Sequence, residues 1–221
     1  MSTTPAFLDV ATAVRERRAI KHFKADPIAP EVLSTLVELT VAAPSSYNLQ
    51  DWHIVLVQEE AQRQALAEAA FGQAQVSQAP VTAVFAADAA AWKDEDRMAK
   101  IYETGLQSGA WTPKTVDYFK TAIPQFMESL GPQTREYAIK NAMIAATHMA
   151  LVAQAMGLSS CFLNGWDEAK VKAVIGAENQ PALAIAVLLP IGYAAEPRQN
   201  PGRLPFEVNV SVDRLATPYH G

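Results

Sequence analysis

The stretch Ala42-Ala43-Pro44-Ser45-Ser46-Tyr47-Asn48-Leu49-Gln50-Asp51-Trp52, with the apolar run from Ile54 to Val57 close behind it, decides how this chain is read. An apolar helical pattern enters it, Pro44 breaks that pattern, and a strand-like run leaves it, so it is a helix-to-strand connection. A junction rich in Ser and Asn gathers backbone N–H groups and short side-chain donors in one place. That suits a polar, phosphorylated or ring-bearing ligand, although the same residues also make an ordinary polar turn. The surrounding chain has to separate the two.

Upstream, Ala29-Pro30-Glu31 announces a helix whose inner side is Leu33, Leu36, Val37 and Thr40, proline being suited to a first helical turn. An earlier helix begins near Thr4-Pro5 or at Asp9, with Phe7, Val10, Ala11 and Val14 on one face. It runs into Arg15-Glu16-Arg17-Arg18-Ala19-Ile20-Lys21, where four cations fall within seven residues. One or two of them complement the negative end of the helix dipole. The excess can clamp a dianionic phosphate.

Downstream, His53 to Gln58 predicts a strand, Glu59 to Phe71 an Ala-rich helix, and Val81 to Ala87 a second strand buried on both faces. From Asp88 to Gln133 the pattern degrades, with Trp92, Trp111, Tyr118, Phe119 and Phe126 among prolines and charges. An active-site cover, a subunit contact and a variable insertion all fit that segment. Arg135 to Ala155 is helical and apolar on nearly every face, and its alanines permit close approach, which places it centrally. Gly157 stops it. Strand Ser160 to Leu163, the turn Asn164-Gly165-Trp166-Asp167, a short helix ending near Gly176, strand Leu183 to Leu189 and an extended Pro-rich tail from Glu196 complete the chain. The class is therefore α+β or α/β, and 221 residues fit one domain.

Composition narrows the partners. A net charge of −5, a pI near 5.4 and no block of like charge make nucleic acid and anionic membrane poor candidates. No apolar run reaches the ~18 residues of a membrane span, and Met1 to Asp9 lacks the pattern of a signal peptide, so a cytoplasmic protein is the simplest account. The single cysteine, Cys161, lies in an apolar stretch and reads as an inert core thiol. His22, His53, His148 and His220 are scattered without a carboxylate at ligand spacing, so no metal site is expected. His148 reads as a hydrogen-bonded core residue of the central helix. Dinucleotide-binding glycines, a phosphate loop and a nucleophile elbow are all missing. Catalysis is then better assigned to a bound cofactor.

Arg17-Arg18-Ala19-Ile20-Lys21-His22-Phe23, then Ala43 to Trp52, then Gly157-Leu158 leading to Asn164-Gly165-Trp166-Asp167, then Gly192-Tyr193 and Gly202-Arg203-Leu204-Pro205 follow one another in a distinctive order. In that order they resemble the nitroreductase family of FMN-dependent oxidoreductases, over nearly the whole chain apart from Asp88 to Gln133. The resemblance implies an α+β fold with a central, mostly antiparallel sheet surrounded by helices. It also implies an obligate homodimer with swapped C-terminal extensions, two FMN sites at the subunit interface, and NADH or NADPH as donor to a small-molecule acceptor. By the same resemblance Arg17, Arg18 and Arg203 look like the phosphate clamp around Ala19, and Lys21 like the cation at the ribityl chain and pyrimidine edge. Pro44, Ser45, Ser46 and Asn48 resemble the segment lent by the second subunit. Asn164 and Gly165 match the turn facing flavin N5, and no catalytic side chain is assigned.

Several positions depart from the family pattern. Ala19 stands where Ser is frequent, and Asp51 replaces the usual Pro before Trp52, which loosens a rigid turn. Gln75 lies where many members place another polar or basic contact to the pyrimidine edge, and Asn164 where some carry Glu. The implied activity is ping-pong reduction of nitroaromatics, quinones or related acceptors. The alternatives are a flavin-storing or flavin-sensing protein without turnover and a specialised, dehalogenase-like enzyme on the same fold.

Overall fold

The computed structural model describes residues 7–219, so the Thr4-Pro5 helix start and His220 lie outside the described residues. Helix α1 (Val10–Glu16) begins at Asp9, whose carboxylate accepts the Thr12 N–H at 3.0 Å. Helix α2 (Pro30–Val41) carries Pro30 in its first turn and buries Leu36 and Thr40. A single 3-10 turn (Ser46–Asn48) then leads into β1 (Trp52–Val57), one residue earlier than the sequence pattern predicts. Helices α3 (Glu60–Ala69) and α4 (Ala74–Gln78) precede β2 (Val81–Asp88).

The segment without a clear pattern is two helices, α5 (Glu95–Gln107) and α6 (Pro113–Leu130). Asp94 and Thr112 cap them by accepting the N–H groups of Arg97 and Thr115. Their apolar faces meet around Leu49, Met98, Ile101, Ile123 and Met127, with Trp111, Phe119 and Phe126 packed alongside. That cluster explains the scattered aromatics. Helix α7 (Thr134–Ala155), the two-residue strand β3 (Ser159–Ser160), helix α8 (Glu168–Val174) and β4 (Leu183–Gly192) follow. The tail is broken by one short helix, α9 (Phe206–Asn209), and exposes Leu204, Phe206, Val208, Val210, Val212 and Leu215.

The four strands form one antiparallel sheet in the order β1-β2-β4-β3. Side chains alternate across it. Val81, Ala83, Phe85 and Ala87 of β2 face α2 and α7, whereas Val84 and Ala86 face the layer of α3, α4 and α8. In β4 the phase slips once: Ala184, Ala186, Val187 and Leu189 all lie on the α7 side, with Leu183, Ile185 and Leu188 opposite. The register break opposite Phe85 and Ala86 causes the slip, because a β-bulge puts two consecutive residues on one face.

β4 extends past the predicted Leu189 through Pro190 to Gly192. Pro190 faces the chain that continues β3: its carbonyl accepts the Cys161 N–H at 3.2 Å, but proline has no N–H to return, so this pair carries one bond where the Leu163–Leu188 pair carries two. α7 covers the sheet with Ala138, Ala142, Ala145, Ala146, Ala150 and Ala153, all fully buried. Gly157, at φ +80°, ends that helix, and the Leu158 N–H bonds back to Ala153.

Two expectations change. The apolar face of α1 that includes Val10 and Val14 is exposed, and only Ala13 of that helix is buried. His148 is half-buried rather than core, its Nδ1 lying 3.1 Å from the Ile144 carbonyl at the edge of an apolar groove. In both cases the helical period marks a face that the chain itself leaves partly uncovered. No helix among the described residues is long and apolar enough to cross a membrane.

Candidate functional site

The cations after α1 are laid against the strand edge. Ala19 bridges Ser160 in parallel, and the Ile20 N–H donates to the Ser160 carbonyl at 3.2 Å. The Arg17 guanidinium lies 5.8 Å from the centre of the Phe162 ring, and Lys21 Nζ is 3.4 Å from Cys161 Sγ. Arg18 instead folds back, its Nη1 donating to the carbonyls of Arg15 at 2.6 Å and Arg17 at 3.0 Å. That is the helix-capping role allowed for part of the cluster. Arg198, not singled out from the sequence, brings another guanidinium to the Ala19 carbonyl at 3.4 Å.

The Ser160 hydroxyl is buried and has no partner. Ion pairs are few: His53–Asp88, Lys120–Asp117, Arg135–Glu168, Lys140–Glu136 and Lys172–Glu168. Among the described residues, then, Arg17, Arg18, Lys21 and Arg203 meet no carboxylate. Uncompensated cations beside an orphaned hydroxyl fit a phosphate and the polar edge of a ring.

Four residues beyond Cys161, and so within about 14 Å of it along the chain, the Asn164–Asp167 turn is tied down. Gln73 Nε2 donates to the Gly165 carbonyl at 2.9 Å and to that of Ala70 at 3.1 Å. Buried Gln75, on α4, donates to Gln73 Oε1 at 3.3 Å. The structure thus gathers Arg17, Ala19, Lys21, Gln75 and Gly165 around one edge of the sheet, with Asn164 exposed beside them. Gln73 is the linking residue that sequence reading missed. Its only signal is its place two residues before Gln75.

The opening stretch is held elsewhere. The Ser46 N–H donates to Asn141 Oδ1 at 3.3 Å, in the first third of α7, whereas Ser160 follows that helix's far end. From Asn141 to Ala155 the helix rises about 20 Å. Pro44, Ser45, Ser46 and Asn48 thus lie beside Asn141 of α7, and no hydrogen bond among the described residues joins them to Arg17, Arg18 or Lys21. Asp51 is buried there and accepts from Asn141 Nδ2 at 3.1 Å, so the residue expected only to loosen the turn anchors it. Burial pushes its carboxyl up to about 6, against the lowering effects of the Asn141 hydrogen bond and of Arg97. Burial likewise raises the Tyr137 hydroxyl. Asp88, at the end of β2, is lowered instead, first by its hydrogen bond with His53.

Arg203 bonds to the Gly202 carbonyl at 2.6 Å and to Asn200 Oδ1 at 3.4 Å, both within the tail. A cavity of about 980 Å³ lies between α5 and α6 and is lined by Trp92, Met98, Tyr102, Leu106, Val116 and Pro124, none of them a site residue.

A model of the nitroreductase family matches residues 14–193. A Thermus thermophilus protein named NADH dehydrogenase is 35% identical over 94% of this chain and 97% of its own length. A Bacillus subtilis protein named as a putative NAD(P)H nitroreductase is 29% identical over 91% of this chain and 97% of its own. Among solved structures, a putative nitroreductase of Exiguobacterium sibiricum in complex with FMN superposes with a TM-score of 0.85, covering 95% of this chain and 100% of that one at 24% identity. The antiparallel sheet flanked by helices is thus the fold that the motif order implied, and the chain belongs to the nitroreductase family.

Proposed function

We propose that this protein is an FMN-dependent oxidoreductase that draws electrons from NADH or NADPH and passes them to a small-molecule acceptor. The observation that carries the reading is the pair of cations Arg17 and Lys21, held without carboxylate partners along the Ser160–Phe162 edge, where the Ser160 hydroxyl is buried and unpartnered. The names of the Thermus and Bacillus relatives supply the donor class, and the FMN complex of the Exiguobacterium protein supplies the cofactor.

Within one FMN-binding domain spanning the chain, Arg17, Arg18 and Arg203 would hold the phosphate around Ala19. Lys21 and Gln75 would hold the pyrimidine edge. Asn164 and Gly165 would face the reacting side of the ring. Bound FMN supplies a hydride-accepting N5, chemistry that no side chain here performs. Lys21 would place a cation beside the pyrimidine edge, where it would stabilise negative charge on a reduced ring. Donor and acceptor take turns in one pocket, which predicts ping-pong kinetics with nitroaromatics or quinones as test acceptors.

A second copy of the chain completes the site. Its Pro44, Ser45, Ser46 and Asn48 would meet the ring and ribityl hydroxyls. The apolar groove of about 320 Å³ lined by Phe7, Leu8, Val10, Leu39, Leu151 and Val152 supports such a homodimer, as do the exposed apolar side chains of the tail. A cytoplasmic location follows from a donor supplied inside cells. The test is the visible spectrum of the purified protein before and after anaerobic addition of NADH and then NADPH. Flavin bands that bleach establish the reductase. Bands that persist would leave a storage or sensing protein, and a protein that takes up no FMN would overturn the reading. A flavin-loaded monomer by light scattering would overturn the shared site.

A further inference from the structure

The Ser45–Gln50 turn holds an unfavourable backbone. Tyr47, Asn48 and Gln50 have φ of 52°, 54° and 45°. Asn tolerates that left-handed region, but Tyr and Gln resist it, so the turn persists only while its surroundings hold it. Four hydrogen bonds do so. The Gln50 N–H donates to Ser45 Oγ at 2.9 Å, and Arg97 Nη1 donates to the Gln50 carbonyl at 2.7 Å. From below, the Ser46 N–H donates to Asn141 Oδ1 at 3.3 Å, and Asn141 Nδ2 donates to Asp51 Oδ2 at 3.1 Å.

The last two bonds form a chain with a direction. A side-chain amide can present either end, but a carboxylate only accepts. Asp51 therefore draws Nδ2 to itself and leaves Oδ1 for Ser46. Both residues are buried, Asn141 at 5% exposure and Asp51 at 1%.

We infer that Asp51 is a positioning residue: acting through the Asn141 amide, its carboxyl group holds the Ser45–Gln50 turn in the shape that meets the flavin, and ionising it inside the fold loosens the turn. The flavin half of this inference rests on the proposed function, whereas the clamp itself does not. With the proton on Oδ1, which is buried and has no partner, Oδ2 still accepts from Asn141 Nδ2. Ionisation leaves Oδ1 as a buried, unpaired charge, which is relieved when the turn opens to water. The groups that face Asp51 are Asn141 and Tyr137 from α7, Arg97 from α5 and Asp88 from the end of β2, with His53 bound to Asp88 at 3.5 Å. Arg97 favours the ionised form, while burial and Asp88 oppose it, which places the change near neutrality instead of in strong acid.

The experiment is amide hydrogen exchange over Ser45–Gln50, corrected for intrinsic rate, on wild type and Asp51→Asn between pH 5.0 and 7.5, with and without FMN. FMN affinity is titrated by fluorescence on the same samples. In wild type, protection and FMN affinity should both fall about tenfold towards pH 7.5. In Asp51→Asn, which keeps an acceptor for Asn141 and cannot ionise, both should be flat with pH, which also removes His53 as the cause. Protection in wild type that ignores pH, or a variant that behaves as wild type does, overturns the clamp. Protection that follows pH while FMN affinity does not move overturns the flavin half alone. A protein that binds no FMN fails the proposed function but still lets exchange decide the clamp.

Discussion

Asp51→Asn should remove a pH dependence from the stability of this protein. The carboxyl lies at about 6 when folded against an ordinary 3.8, because its buried Oδ1 has no partner and burial outweighs the Asn141 hydrogen bond. A shift of about two units corresponds to about 3 kcal/mol. Since the folded value is the higher one, the contribution is complete below pH 3.8 and is lost as pH rises through 6. By linkage, about 2 kcal/mol of it disappears between pH 4.5 and 7.5. The variant cannot ionise, so its stability should gain about 2 kcal/mol relative to wild type across that window. The extra buried N–H₂ that Asn introduces costs about 1 to 3 kcal/mol, but equally at every pH, and so moves the level without moving the slope. Urea unfolding of both proteins at pH 4.5, 6.0 and 7.5 measures it, with subunit and FMN concentrations held fixed because association and ligand both shift apparent stability. A difference between the two proteins that is the same at pH 4.5 and 7.5 would refute the assignment of a perturbed carboxyl to Asp51.

Three further substitutions probe other parts of the molecule. Arg203→Ala should weaken FMN binding by about 1.5 to 3 kcal/mol, the worth of a charged hydrogen bond, and an unchanged fluorescence titration would remove Arg203 from the clamp. Gly192→Ala should destabilise by about 1 to 3 kcal/mol, because the added methyl would lie 2.5 Å from Pro80 Cδ and 3.2 Å from Phe23 in a closed part of the sheet. A wild-type melting temperature for that variant would contradict the packing. Arg63→Ala should cost about 2 to 3 kcal/mol, since one guanidinium serves the carbonyls of Gln58, Ser77 and Ala79 at 3.0, 2.6 and 2.9 Å and would leave them unpaired. Chemical denaturation checks it, and a loss under half a kcal/mol would show that water replaces the side chain.

What was legible in the sequence is what local period and punctuation encode. The buried strand β2, the long alanine helix α7 and its Gly157 stop need only residues near one another in the chain. The bulge in β4 was not legible, because Ala186 and Val187 are both apolar and a slipped phase looks the same as a strand buried on both faces. The polar links were not legible either. Asn141 stands out as an amide on an apolar helix, yet its partners Ser46 and Asp51 lie 95 and 90 residues away, and no spacing rule connects them. Gln73 meets Gly165 across 92 residues for the same reason.

The exposed face of α1 shows a different limit. Val10 and Val14 recur at helical spacing yet lie exposed, and periodicity marks an apolar face without stating which chain, if any, buries it. The tail repeats the point, with Val208, Val210 and Val212 in alternation and all exposed. Alternating apolar residues outside any sheet of their own chain are the pattern of a segment that packs on another surface. In the proposed homodimer a second copy would cover both features and lend its own Ser45–Asn48 turn to the site. The sequence of a single chain would then carry the pattern of an assembly, legible as apolar faces that its own fold leaves open.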